Sequence, residues 1–263
     1  MTLENFTLKE FLLKNGATNF RSTLPLVHTT AAANTAAILN SLRIQVESCD
    51  VFKDEKLAYF FAGRPAYKLN NADNPAPWQL PLVLVLKQSC LVTAKRIFPF
   101  DSGAFSNKIM SPSITGFNME GFQIAEVENA IDAIINLFFG SDNDYYTGNA
   151  FDQNSMPKRL KIDMENQQTL ALSWAYRDVK SRADDRRLAV EIQSAEDVDF
   201  QDNLLGVVLP RPFFNSEPIK NRLKEIGAAA KYYDLYPSDI DSYYLLIYDK
   251  VRELYVENGI LDA

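Results

Sequence analysis

Leu80-Pro81-Leu82-Val83-Leu84-Val85-Leu86 is the longest apolar run in the chain. It is far too short to span a bilayer, which takes about 20 apolar residues in a helix, and it reads as a strand buried on both faces. Shorter runs of the same kind surround it. Leu24 to Val27 ends at His28, and Leu57 to Phe61 is closed by Gly63-Arg64-Pro65. Leu188 to Ile192 and Leu204 to Leu209 follow, the second ended by Pro210. Helices are interspersed without regular βαβ alternation, so the pattern predicts an α+β fold rather than a doubly wound parallel sheet.

Thr7-Leu8-Lys9-Glu10 has the form of a capping box, with Leu8, Phe11 and Leu12 on one face and Gly16 as the stop, which predicts a helix over about 6–15. Ala31 to Leu42 has high helix propensity, with Ile38, Leu39 and Leu42 as its apolar face. Residues 99–123 are broken by Pro99, Gly103, Pro112, Gly116 and Gly121 and read as a long ordered loop, in which Asp101 caps backbone N–H groups. Loops of that length in compact domains are frequently binding loops or lids. Ile124, Val127, Ile131, Ile134 and Phe138 recur at helical spacing up to Gly140. Residues 141–166 are polar and irregular. Ile240, Tyr243, Tyr244, Ile247, Val251 and Leu254 make a last helix over about 239–257, with Ser238 as N-cap, packed on the domain. No linker-like stretch divides the chain, and a single domain over 1–263 is expected.

The composition is globular: 263 residues, 47% apolar, 12% aromatic, with 27 basic against 34 acidic side chains and a net charge of −7. This excludes disorder as the main state and disfavours a general basic surface for duplex DNA. Cys49 and Cys90 make no disulfide scaffold, and Met1-Thr2-Leu3-Glu4-Asn5 is acidic rather than signal-like, so the expectation is a cytoplasmic protein with no membrane partner. There is no Gly-rich phosphate loop, no nucleophile elbow and no His-Glu-x-x-His, and the single histidine, His28, excludes a multi-histidine metal site.

Three segments stand out together. Leu26-Val27-His28-Thr29-Thr30 runs from a strand end into the helix carrying Ile38-Leu39. Leu57-Ala58-Tyr59-Phe60-Phe61-Ala62-Gly63-Arg64-Pro65-Ala66-Tyr67 is aromatic and ends on a basic turn. Asp185-Arg186-Arg187-Leu188-Ala189-Val190-Glu191-Ile192-Gln193 places a lone carboxylate, Glu191, within an apolar strand. Desolvating that carboxylate is costly unless it is paired or hydrogen-bonded, so its position asks for a reason.

At these residues the sequence resembles the ADP-ribosyltransferase fold family. There a His-Thr or His-Gly on the first core strand precedes an "n-x-x-x-I-L" helix, and a Tyr-rich strand and a late-strand glutamate complete the pattern. Tyr59-Phe60-Phe61 through Arg64-Pro65 to Tyr67 is similar to the "FYF-x-x-R-S-P-M-L-Y" segment of DarT-type ADP-ribosyltransferases. Arg187-Leu188-Ala189-Val190-Glu191 resembles that group's "R-x-A-E" strand. The anchors span about residues 24 to 210, and the stretches between them do not obviously match.

The resemblance implies split antiparallel β-sheets with flanking helices, and NAD as co-substrate with no metal. It makes Glu191 and Arg64 the catalytic pair, Glu191 against the nicotinamide ribose and Arg64 on the pyrophosphate. His28 would meet the adenosine ribose, the Thr29 backbone the nicotinamide amide, and Tyr59 or Tyr67 the nicotinamide ring. Breaking the nicotinamide–ribose bond develops oxocarbenium character, which a nearby carboxylate stabilises. The basic cluster that includes Arg177, Lys180, Arg182, Arg186 and Arg187 falls where relatives place a substrate-recognition loop, so Arg182, Arg186 and Arg187 are candidates for acceptor contact. Arginine-modifying members usually carry Glu or Gln two residues before the glutamate; Ala189 stands there, which disfavours arginine as the acceptor. A nucleic acid base, a protein side chain or water remains as acceptor. A toxin or phage-defence setting with an antitoxin partner follows from the analogy alone.

Each residue also has a plain structural alternative. His28 reads as a satisfied strand-end histidine, Tyr59 as ordinary core, and Arg64 as a surface turn residue tied to Asp54 or Glu55. Glu191 reads as an edge carboxylate pointing to water, and the basic cluster as a solvated face balanced by Asp178, Asp184 and Asp185. A catalytically inactive nucleotide-binding or protein-interaction module on the same fold is the corresponding alternative for the whole chain.

Overall fold

The run that opens the sequence argument is the strand Pro81–Leu86, and all six of its residues are buried. In the computed structural model, residues 6–16, 18–66, 75–91, 93–152, 154, 165–177, 188–236 and 240–262 are described. Ten strands occur among them: β1 (Leu26–Ala31), β2 (Arg43–Ile44), β3 (Glu47–Ser48), β4 (Lys56–Ala62), β5 (Pro81–Leu86), β6 (Arg96–Phe98), β7 (Glu191–Ser194), β8 (Val198–Asp199), β9 (Leu204–Pro210) and β10 (Ala229–Tyr233). The fold is mixed α+β, with a mostly antiparallel sheet and flanking helices. Where the sequence suggests one domain, the contacts resolve two compact units. One comprises Met1–Thr23, Asp50–Lys53 and Ala94–Gln193, the other Leu24–Cys49, Asp54–Thr93 and Ser194–Ala263. Among the described residues no helix is long and apolar enough to cross a membrane.

The second unit holds the main sheet, in the order β10-β9-β5-β1-β4, with β3 added to β4. β5 pairs antiparallel with β1 on one side and with β9 on the other, which explains why it is apolar throughout. β1 runs from Leu26 to Ala31, so His28, Thr29 and Thr30 lie within the strand rather than past its end. The helix expected over 31–42 is a 3-10 turn, Ala32–Asn34, followed by Thr35–Ser41, and Leu42 ends it with a left-handed φ of 52°. One pairing was not legible: β10 joins β9 in parallel, with the helix Glu217–Ile226 as the crossover. Ala229-Ala230-Lys231-Tyr232-Tyr233 has neither alternation nor a continuous apolar run to announce it. The helix Ile240–Glu257 packs on β9 and β10 in the same unit, and its expected cap, Ser238, lies outside the described residues.

In the first unit the capping box at Thr7 and Glu10 forms as expected, and the helix Leu8–Asn15 ends at Gly16. The expected loop over 99–123 contains the helical turns Ser102–Ser106, Pro112–Thr115 and Met119–Phe122, capped by Asp101, Ser111 and Asn118. Each is too short to display a period, so only its cap was visible. The expected helix from Ile124 begins instead at Ala130, because Asn129 takes a left-handed φ of 53°. Ile124 and Val127 are buried from a turn in which Ile124 N–H donates to Ile97 O at 2.9 Å, which imitates helical spacing. The polar stretch after Gly140 includes the helix Asp142–Thr147, capped by Ser141. Its Asp142 accepts hydrogen bonds from Ser22 Oγ at 2.7 Å and Thr23 N–H at 2.8 Å.

Gly63 closes β4 in a left-handed conformation with φ 62°. Its N–H donates to Pro25 O at 2.8 Å, and its carbonyl accepts from the buried Tyr255 hydroxyl at 2.7 Å. A Cβ at this position would lie 2.8 Å from Leu24 Cδ1. Backbone strain and overlap act together, so Gly63→Ala is expected to lower unfolding stability by about 1–3 kcal/mol. Urea unfolding followed by circular dichroism measures this, and an unchanged midpoint would show that the turn is not constrained as described.

Candidate functional site

Three of the residues expected from the sequence fall in one place and Glu191 in another, while Arg64 is in neither. The first is a cleft of about 460 Å³ in the sheet unit, within the usual range for small-molecule sites. Its lining includes His28, Thr29 and Tyr59 together with Asn34, Ser41 and Arg43. Three chosen residues therefore share one surface. His28 and Thr29 come from β1 and Tyr59 from β4, and these strands pair antiparallel at Leu26↔Ala62 and Val27↔Phe61.

His28 Nδ1 lies 2.8 Å from the Tyr59 carbonyl oxygen. A carbonyl only accepts, so Nδ1 carries the proton, and in the neutral ring Nε2 presents a lone pair. Burial holds the imidazole pKa below its ordinary value, opposed by the bond to Tyr59. The ring is therefore a neutral acceptor, suited to a ligand hydroxyl rather than to a phosphate. The Tyr59 hydroxyl contacts Cys49 Sγ at 2.6 Å, which fixes the phenol on the β4 side of the cleft.

Arg64 is not among the lining residues. It is 3% exposed, with its guanidinium 5.9 Å over the Tyr248 ring, so it is no surface turn residue. The cation among the lining residues is Arg43, which sequence reading did not single out. Arg43 Nε and Nη2 donate to the two carboxylate oxygens of Asp199 at 3.1 and 2.8 Å, a forked pair at an exposed position. That pair stabilises little by itself but orients the guanidinium.

The second place is Glu191, in the other unit. It does not point to water: the residue is 1% exposed. Ser102 Oγ donates to Oε1 at 2.7 Å, Gln193 Nε2 donates to Oε1 at 2.6 Å, and Ser102 N–H donates to Oε2 at 3.1 Å. Arg96 Nη1 donates to Gln193 Oε1 at 3.3 Å, and its guanidinium lies 4.2 Å over the Phe52 ring. β6 and β7 set this arrangement by pairing Arg96 with Gln193 and Phe98 with Glu191. β7 starts at Glu191 rather than Leu188, since Val190 N–H donates to the Tyr145 hydroxyl at 2.8 Å.

The segment that brings Ser102 to Glu191 is the first part of the loop expected over 99–123. Asp101 caps it by accepting from Ala104 N–H at 2.6 Å, as expected. Phe100 anchors it, stacked on Phe105 at 5.2 Å, edge-on to Phe122 at 5.2 Å, and near Phe98 at 6.3 Å. Burial first, and the Asp101 charge second, push the Glu191 pKa up to about 8, against the pull of its three donors.

Tyr67, Arg182, Arg186 and Arg187 lie outside the described residues. Among the described residues no group of His, Cys, Asp and Glu is arranged to hold a metal ion. Comparison of the chain with protein-family models and with curated proteins returned no match.

Because the Glu191 pKa is raised on folding, the folded chain keeps a proton that the unfolded chain releases between about 4.5 and about 8. Stability contributed by this group is present below that window and is lost as pH rises through it. Urea midpoints measured from pH 5 to 9 are expected to fall for the wild type and to fall less steeply for Glu191→Gln. Parallel curves would show that Glu191 is ionised throughout.

Proposed function

We propose that the protein is an NAD-dependent ADP-ribosyltransferase, transferring ADP-ribose from NAD to a nucleophilic acceptor on a nucleic acid base or a protein side chain. The observation that carries this reading is the cleft itself. The resemblance assigns His28, Thr29 and Tyr59 to one dinucleotide, and all three line it. The mostly antiparallel sheet with flanking helices is compatible with the fold that the resemblance implies.

In this reading the neutral His28 Nε2 accepts a hydroxyl of the adenosine ribose, and the Tyr59 ring offers an aromatic face to the nicotinamide. The cation that the cleft offers to the diphosphate is Arg43, whose fork is already oriented there, and Arg64, buried against Tyr248, is left without that role. The resemblance gives an ionised glutamate the task of offsetting the positive charge that develops at C1′, and Glu191 is the candidate for it. The C1′–N bond breaks with its electron pair going to the nicotinamide nitrogen, which leaves neutral. The acceptor then bonds to C1′ and releases its proton to solvent.

Incubation with NAD, alone and with DNA, RNA or cell lysate, is expected to release nicotinamide. The rate should rise with pH as Glu191 loses its proton near 8. Glu191→Gln should keep the fold and lose about a hundredfold or more in turnover. Release with NAD alone at the same rate as with acceptors would redirect the reading to an NAD glycohydrolase. No release and no NAD binding under all conditions would leave an inactive module on this fold.

A further inference from the structure

Three side chains around Glu191, those of Arg96, Gln193 and Ser102, form a directed chain of hydrogen bonds that the proposed chemistry does not by itself require. Arg96 has donors only, so the Gln193 atom facing it at 3.3 Å is the amide oxygen. The amide is thereby fixed, with Nε2 turned to Glu191 at 2.6 Å. Arg96 is itself held flat against Phe52. On the opposite side Ser102 donates from both Oγ and N–H, and it is fixed by the Asp101 cap and the Phe100 stack.

The two carboxylate oxygens are therefore unequal. Oε1 accepts from two donors, Ser102 Oγ and Gln193 Nε2, which uses its two lone pairs. Oε2 accepts from one among the described residues, Ser102 N–H. We propose that Gln193 is the positioning residue of Glu191: locked by Arg96, it saturates Oε1 together with Ser102 and leaves Oε2 as the oxygen that meets a ligand or carries the proton. This rests on the assignment of Glu191 as the working carboxylate, but the hydrogen-bond chain can be tested without catalysis.

Among the described residues, the charged and titratable groups around the carboxyl are Asp101, one residue before Ser102, the Tyr145 phenol on the Val190 N–H, and Arg96 at one remove through Gln193. Asp101 disfavours the ionised carboxylate, and the Gln193 and Ser102 donors favour it. Replacing Gln193 by an apolar side chain of similar length thus raises the pH at which Glu191 ionises, whereas a purely structural Gln193 would leave it unmoved.

The test compares wild type, Gln193→Met, Arg96→Met and Arg96→Lys. Urea midpoints from pH 5 to 9 give the Glu191 inflexion with no need for activity. Gln193→Met is expected to move it to higher pH, Arg96→Met to move it in the same direction by less, and Arg96→Lys to restore most of the wild-type position. In nicotinamide release at pH 7, Gln193→Met should lower kcat by about ten- to hundredfold with KM for NAD nearly unchanged. A folded Gln193→Met with the wild-type inflexion overturns the proposal. If that variant does not fold, an unmoved inflexion in Arg96→Met overturns it instead. A wild type that releases no nicotinamide, yet shows the expected shifts, refutes the transferase reading and leaves the hydrogen-bond chain standing.

Discussion

A carboxyl group buried to 1% exposure at the start of β7 is the constraint around which the first unit is arranged. An unpaired carboxylate there would cost several kcal/mol, and three donors converge to offset that cost. Supplying them dictates much of the local architecture. Two come from one residue, Ser102, which requires the chain after β6 to turn back at Asp101 rather than continue as strand. The aromatic stack of Phe98, Phe100, Phe105 and Phe122 supplies the apolar contact that holds this turn in place.

The third donor depends on register. In an antiparallel pair, opposed residues share a face, so pairing Arg96 with Gln193 and Phe98 with Glu191 puts all four on one side, and Ile97 and Ile192 on the other. A slip of one residue would move Gln193 away from Arg96 and turn the apolar pair toward the carboxyl. The polar chain and the apolar stack therefore specify the same register, which is the agreement between levels expected of a site held in one geometry.

What the sequence revealed, and what it hid, follows from the range of the interactions. The Thr7 capping box, the Asp101 cap and the all-buried β5 were legible because their causes lie within a few residues. Glu191 was legible because a carboxylate breaks an apolar run. Gln193 carried a readable signal, since it sits two residues on and therefore on the same strand face. Ser102 and Arg96 carried none, being 89 and 97 residues from Glu191 and Gln193 respectively. Arg43 was hidden for a similar reason, because its partner is 156 residues away. The parallel β10 escaped because its alternation is weak and its pairing is set by a crossover. Arg64 departs from its plain structural alternative: a Gly-Arg-Pro turn reads as exposed, whereas the residue is buried with its guanidinium over the Tyr248 ring.

Folding changes His28 and Glu191 by the same cause in opposite directions on the pH scale. Burial lowers the imidazole pKa and raises the carboxyl pKa, so each is driven toward its neutral form. For His28 this is compatible with the role assigned to it, since a neutral ring keeps the Nε2 lone pair. For Glu191 it opposes the role, since only the ionised form offsets developing positive charge. The three donors already favour ionisation, and a bound ligand with a cationic ring adjacent to Oε2 would act in the same direction. On the transferase reading, then, binding NAD is linked to release of the Glu191 proton. On that same reading the buried carboxyl stays neutral until a positive charge is brought to it.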